Sequence, residues 1–153
     1  MSLHRLTVFT EFHNTLTDNQ LGTRPMRQTH DAIYSLLALI PYNKHVTKKP
    51  TYVAFIDYTT AYPSVFRDGL CQELFRQGIR GKMWTHLRER FRQVSVRVLH
   101  PLIPITEFVP ILRGLPEGGR LSPILFGIVA ADLVRELTRQ FPNARISLNG
   151  NPL

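Results

Sequence analysis

The sequence predicts an α+β protein in which helices pack on a mainly antiparallel sheet. Three observations lead there. Residues 31–40 and 121–141 carry apolar side chains at helical spacing. Residues 52–57, Tyr-Val-Ala-Phe-Ile-Asp, form a near-continuous apolar run of strand length. Residues 95–114 alternate in two stretches joined by His-Pro-Leu-Ile-Pro, the pattern of a hairpin.

Taken in order, a first helix is expected within Leu3–Leu16, followed by a polar, turn-rich stretch over 17–31. Ile33, Leu36, Leu37 and Ile40 then mark one face of a second helix. Residues 41–50, PYNKHVTKKP, read as a basic loop closed by Pro50. The unbroken apolar character of 52–57 suits a strand covered on both faces. Pro63 and Ser64 open a helix with the stripe Phe66, Leu70 and Leu74, and Gly78 and Gly81 punctuate its end. The next helix, 82–93, sets Met83, Leu87 and Phe91 inward and Arg88 and Arg92 on another face. Pro110 demotes part of the second hairpin strand to an edge or a bulge. After the glycine-rich turn GLPEGGR, Ser122 is expected to cap the long helix, with Pro123 in its first position. A further strand is expected at 144–149, ARISLN.

The 153 residues suit one domain large enough to bury a core. Lys and Arg total 19 against 11 Asp and Glu, a net charge of +8. That balance favours polyanions, nucleic acid before anionic membrane, although a merely solvated basic face has the same composition. The single cysteine, Cys71, excludes an intramolecular disulfide and a multi-cysteine zinc site, and fits an intracellular, reducing compartment. Neither AIYSLLALI nor ILFGIVAA approaches the ~20 apolar residues of a membrane span. The N-terminal stretch has no secretory apolar run, so no membrane partner is expected.

Asp57 ends the apolar run, where a rigidly held carboxylate suits a divalent metal in phosphoryl transfer. The same position also suits an ordinary turn cap. No other acid is an obvious partner, and Asp132 falls inside a helix where solvent accounts for it. The turn 114–120 precedes a helix N-terminus, where backbone and dipole favour an anion, but it lacks P-loop spacing. Arg24, Arg27 and His30 lie close together in a polar stretch, and arginine forks match phosphate. No HExxH spacing and no GxSxG elbow occur, which argues against zinc and serine hydrolysis.

Three ordered stretches together resemble the reverse transcriptases of non-LTR retrotransposons and group II introns. FIDYTTAYPSV resembles the family's first palm motif through Asp57 and the pair Ala61-Tyr62. RGLPEGGRLSPILFGI resembles the second, G-x-x-Q-G-x-x-L-S-P-x-L-F, through Gly114, Gly118, Leu121, Ser122, Pro123, Leu125 and Phe126. DNQLGTRPMRQTHDAI resembles the fingers motif Q-x-G-F-R-x-x-x-S/T-x-D-A-I through Gln20, Gly22, Arg24, Thr29, Asp31, Ala32 and Ile33, with Thr29 one residue off the strict count. Glu117 stands where the family has Gln, Thr23 where it has an aromatic, and Pro63 where many members have Asp. The Tyr/Phe-x-Asp-Asp of the third palm motif does not occur in these 153 residues.

The resemblance implies part of a right-hand polymerase, with a fingers segment over about 1–50 and a palm segment over about 51–153. It implies RNA-directed DNA synthesis by two-metal nucleotidyl transfer in a full-length protein. The partners would be an RNA template, a DNA primer, deoxynucleoside triphosphates and two Mg²⁺ ions. On this reading Asp57 binds Mg²⁺ with help from the Tyr58 carbonyl, and Tyr62 rejects a 2′-hydroxyl. Arg24 and Arg27 face the triphosphate, and the turn with Glu117 and Gly118 positions template and nucleotide. Arg88, Arg92 and Ser122 are the expected nucleic-acid contacts. With one carboxylate of three, the chain is expected not to polymerise without the remaining palm and thumb segments. The alternative is a non-catalytic nucleic-acid-binding remnant of a retroelement.

Overall fold

In the computed structural model, residues 3–142 are described with their side chains, and 147–148 and 151–152 by their backbone alone. The elements run α1 (Leu3–Phe12), α2 (Thr29–Tyr42), a π-helical turn (Asn43–Thr47), α3 (Arg67–Arg76), α4 (Gly81–Arg92), β1 (Ser95–Val96), β2 (Val109–Pro110), α5 (Ser122–Gln140), β3 (Ser147–Leu148) and β4 (Asn151–Pro152). β1 pairs antiparallel with β2, and β3 with β4. The mixed content agrees with the expected α+β class, but helices dominate and each sheet is a two-residue ladder.

α3 packs against both α4 and α5. Leu70, Cys71 and Leu74 of α3, Leu87 and Phe91 of α4, and Ile124, Leu125, Ile128 and Ala131 of α5 share one core with Leu6 and Leu16. Ile124, Gly127, Ile128 and Ala131, all buried, fall at i, i+3, i+4 and i+7, the stripe that a half-buried helix needs. Each fully buried aliphatic chain contributes about 1.5–3 kcal/mol of transfer free energy. The Trp84 indole donates to the Cys71 carbonyl at 2.9 Å and pins α4 to α3.

Several expectations are corrected. Residues 51–58 form neither helix nor ladder, and Tyr52, Phe55, Ile56 and Asp57 are exposed. A strand buried on both faces needs neighbours, and among the described residues none pairs with it. The expected inward face of α2 has no buried residue either, with Ile33, Leu37 and Ile40 all exposed. α2 also runs through Pro41 into the π-helical turn, where a loop was expected. Proline lacks the amide that would bond the carbonyl of Leu37, and the chain widens one turn later.

α3 starts at Arg67 rather than at Pro63 and Ser64, and Phe66 stands exposed at its N-cap. The hairpin exists but pairs sparingly, with bonds Ile111 N–H to Val94 O (2.7 Å) and Thr106 N–H to Val98 O (3.4 Å) beyond the ladder. Pro101, Pro104 and Pro110 each remove a donor from it. Ser122 is the first residue of α5 and not its cap; Leu121 occupies the cap position. Of the expected strand 144–149, only Ser147–Leu148 lies within the described residues.

Candidate functional site

The segment carrying Asp57 and the glycine-rich turn are joined by their backbones. The amide of Leu115 donates to the Tyr62 carbonyl and that of Gly114 to the Val65 carbonyl, both at 2.8 Å. Gly114 has φ +87°, and a Cβ there would sit 2.7 Å from Pro63 Cα and 2.8 Å from its carbonyl oxygen. Glycine is required twice over, by the left-handed backbone and by the close approach. The rings of Tyr58 and Tyr62 both meet Phe126 edge-on, with centroids 5.2 and 5.6 Å apart. One phenylalanine of α5 thus gathers two tyrosines from the residues flanking Asp57.

Arg67, which sequence reasoning missed, closes this junction. Its guanidinium is buried and donates to the carbonyls of Gly114 (2.6 Å), Ile111 (2.7 Å) and Phe91 (3.3 Å). No carboxylate pairs with it among the described residues, and burial lowers its pKa. The signal was present in the sequence. Arg67 shares the helical phase of Leu70, Cys71 and Leu74, the face that α3 buries.

Within the turn, Gly118 (φ +71°) has open space where a Cβ would be, and Glu117 and Arg120 are exposed beside it. The Ser122 hydroxyl is buried and donates to the Pro116 carbonyl at 2.6 Å. Its role in this fold is to hold the turn against α5.

The expected fingers residues split into two kinds. Arg24 is buried: its guanidinium grips both Glu11 carboxylate oxygens at 2.9 and 2.7 Å and donates to the Thr17 carbonyl at 2.9 Å. That fork holds the Glu11 carboxyl below the usual carboxylate range. Arg27 donates to the carbonyl of Asp18 and lies 3.5 Å from its carboxylate, on the surface. Gln20 reaches α5, its amide donating to the Gly127 carbonyl at 2.9 Å. A Cβ on Gly127 would stand 2.9 Å from that same nitrogen. The fingers-like motif is therefore docked on the helix that carries Leu-Ser-Pro-Ile-Leu-Phe.

Asp57 is exposed, and the described residues contain no group of three His, Cys, Asp or Glu able to hold a metal. They therefore do not fit a complete site for two Mg²⁺ ions. On α4, Arg88 lies over the Trp84 ring at 5.1 Å and Arg92 pairs with Glu89 at 3.6 Å. Both are exposed and away from the core. No helix among the described residues is long and apolar enough to cross a membrane.

The profile of the family described as "Reverse transcriptase (RNA-dependent DNA polymerase)" matches residues 2–149. The chain is also similar to a Drosophila melanogaster protein, "Probable RNA-directed DNA polymerase from transposon BS", with 28% identity over 126 residues, which is 77% of this chain and 13% of that protein. The chain thus spans a small part of the length of that relative. With three motif segments joined in one fold and a family match over nearly its whole length, the chain belongs to the reverse transcriptase family.

Proposed function

We propose that this chain forms part of the fingers and the first half of the palm of an RNA-directed DNA polymerase, over about 1–50 and 51–153. The observation that carries the reading is the junction of Tyr58 and Tyr62 with Phe126, which brings the Asp57 segment beside the turn 114–120. In the full-length protein Asp57 supplies one of the carboxylates for two Mg²⁺ ions, which would polarise phosphate oxygens and the attacking hydroxyl. On this reading Tyr62 lies under the incoming sugar, a role supported by the bond of its carbonyl with the Leu115 amide and by its ring contact with Phe126. The exposed Glu117–Gly118 corner lets nucleic acid approach the backbone closely. Arg24 holds the fingers loop in shape through Glu11, leaving Arg27 the more accessible of the two arginines for a triphosphate.

The chain alone does not polymerise, because a single carboxylate cannot replace the set that two ions require. Primer extension with the purified chain tests this. The expected outcome is no extension, and Mg²⁺-dependent synthesis abolished by Asp57→Ala would overturn it. A non-catalytic nucleic-acid-binding remnant of a retroelement is the second reading, favoured by the exposed Arg88 and Arg92 of α4. It predicts salt-sensitive binding that is indifferent to Asp57→Ala and weakened by loss of Arg88 and Arg92.

A further inference from the structure

The π-helical turn after α2 folds the chain back on itself. The Lys49 amide donates to the Asn43 carbonyl at 3.2 Å, and the Asn43 side chain donates to the Thr51 hydroxyl at 3.0 Å. Lys48 turns the corner in the left-handed region, at φ 57°. The result is an open concavity of about 390 Å³ lined by the apolar side chains of Ile40, Pro50 and Val53, by Thr51, and by Lys44, Lys48 and Lys49. All three lysines are exposed, and none takes part in an ion pair among the described residues. No Asp or Glu occurs anywhere between Asn43 and Ile56. Several arginines elsewhere are matched with acids, as in the pairs Arg24–Glu11, Arg76–Glu73 and Arg139–Glu136.

We propose that this bowl is a nucleic-acid backbone site, in which the lysines neutralise successive phosphates and the apolar side chains take a sugar. The inference rests on the polymerase reading, which supplies the polyanion. Reach supports it: Asp57 follows Val53, which lines the bowl, by four positions in sequence, at most about 14 Å of extended chain. With a rise of about 3.4 Å per nucleotide along a strand, that distance is about four nucleotides. A strand held in the bowl would therefore lie within a few phosphates of the Asp57 carboxylate. Lysine suits such a site because it acts as a point charge and needs no fixed fork geometry.

The test is a salt titration of binding between the 153-residue chain and a fluorescent RNA–DNA primer–template. Lys44→Gln/Lys49→Gln is compared with Arg5→Gln/Arg139→Gln, which removes the same charge from other exposed sites. Loss of two phosphate contacts lowers the magnitude of the log–log salt slope by about 1.5, at about 0.7–0.9 per contact. The expected result is that fall in the bowl variant and a smaller one in the control. Equal slopes in the two variants, with the wild-type chain binding well, would overturn the bowl and leave the polymerase reading intact. Failure of the wild-type chain to bind the primer–template would overturn both. A lysine-dependent affinity for phosphatidylcholine–phosphatidylserine vesicles, without any effect on nucleic acid, would assign the bowl to an anionic surface and overturn the proposal.

Discussion

Gly114 has two separate reasons to lack a side chain, one in its own dihedral and one in the backbone of Pro63. Gly114→Ala is expected to destabilise the fold by at least about 1–3 kcal/mol, the scale of one strained residue, with the clash adding to it. Urea denaturation followed by circular dichroism measures this, and an unchanged midpoint would show that the turn relaxes. The Arg24–Glu11 fork makes a prediction about acid. The Glu11 carboxyl is lowered in the fold, so its stabilisation is present above its ordinary value of 4.5 and is lost as pH falls through the lowered value. Glu11→Gln should therefore flatten the acid side of the stability curve and lower stability at neutral pH. A variant whose acid limb matches that of the wild type would exclude Glu11 as a source of it.

Among the elements, α3, α4, the hairpin and the turn 114–120 meet at one guanidinium. Arg67→Met leaves three carbonyls near the junction without their donor, and each unsatisfied buried group costs about 1–3 kcal/mol. Arg67→Lys is expected to rescue little, since one ammonium cannot reproduce a planar fork that reaches Phe91, Ile111 and Gly114 together. Thermal unfolding of both variants decides this, and full rescue by lysine would show that charge alone suffices. The hairpin amides should exchange with deuterium far faster than those of α5, because its pairing is sparse and its side chains are exposed.

The helices were legible because period alone reveals a buried stripe, as with Leu70 and Leu74 or Leu87 and Phe91. The run 52–57 and the face of α2 were not, because apolar character signals a need for burial without saying what meets it. At the site, Asp57 and the glycine turn were visible in the residues themselves, and Tyr62 through the resemblance to the first palm motif. The partnership of Arg24 with Glu11 was not, since it joins residues 13 apart across a turn that local pattern does not describe. Ser122 misled for a related reason: its hydroxyl found the Pro116 carbonyl before it could cap a helix.

At the scale of the whole molecule, apolar surface is distributed unevenly. α3, α4 and α5 share a buried core, whereas Tyr52 and Phe55 are 90% and 89% exposed. Contiguous exposed apolar surface drives association. The isolated chain is expected to self-associate with rising concentration, and Tyr52→Lys/Phe55→Lys to reduce that tendency. Sedimentation velocity over a concentration series would show it, and a monomer at all concentrations in the wild-type chain would remove the basis for it.

The bond from Gln20 to Gly127 spans 107 residues of chain, and it carries a temporal consequence. On a ribosome adding about 5–20 residues per second, Gln20 is made roughly 5–20 s before its acceptor. Through that interval α1 and the loop behind it have no α5 to cover Leu6 and Leu16. The segment that carries α1 must therefore wait, exposed to chaperones and proteases, for a helix whose Gly127 is encoded 107 residues after Gln20.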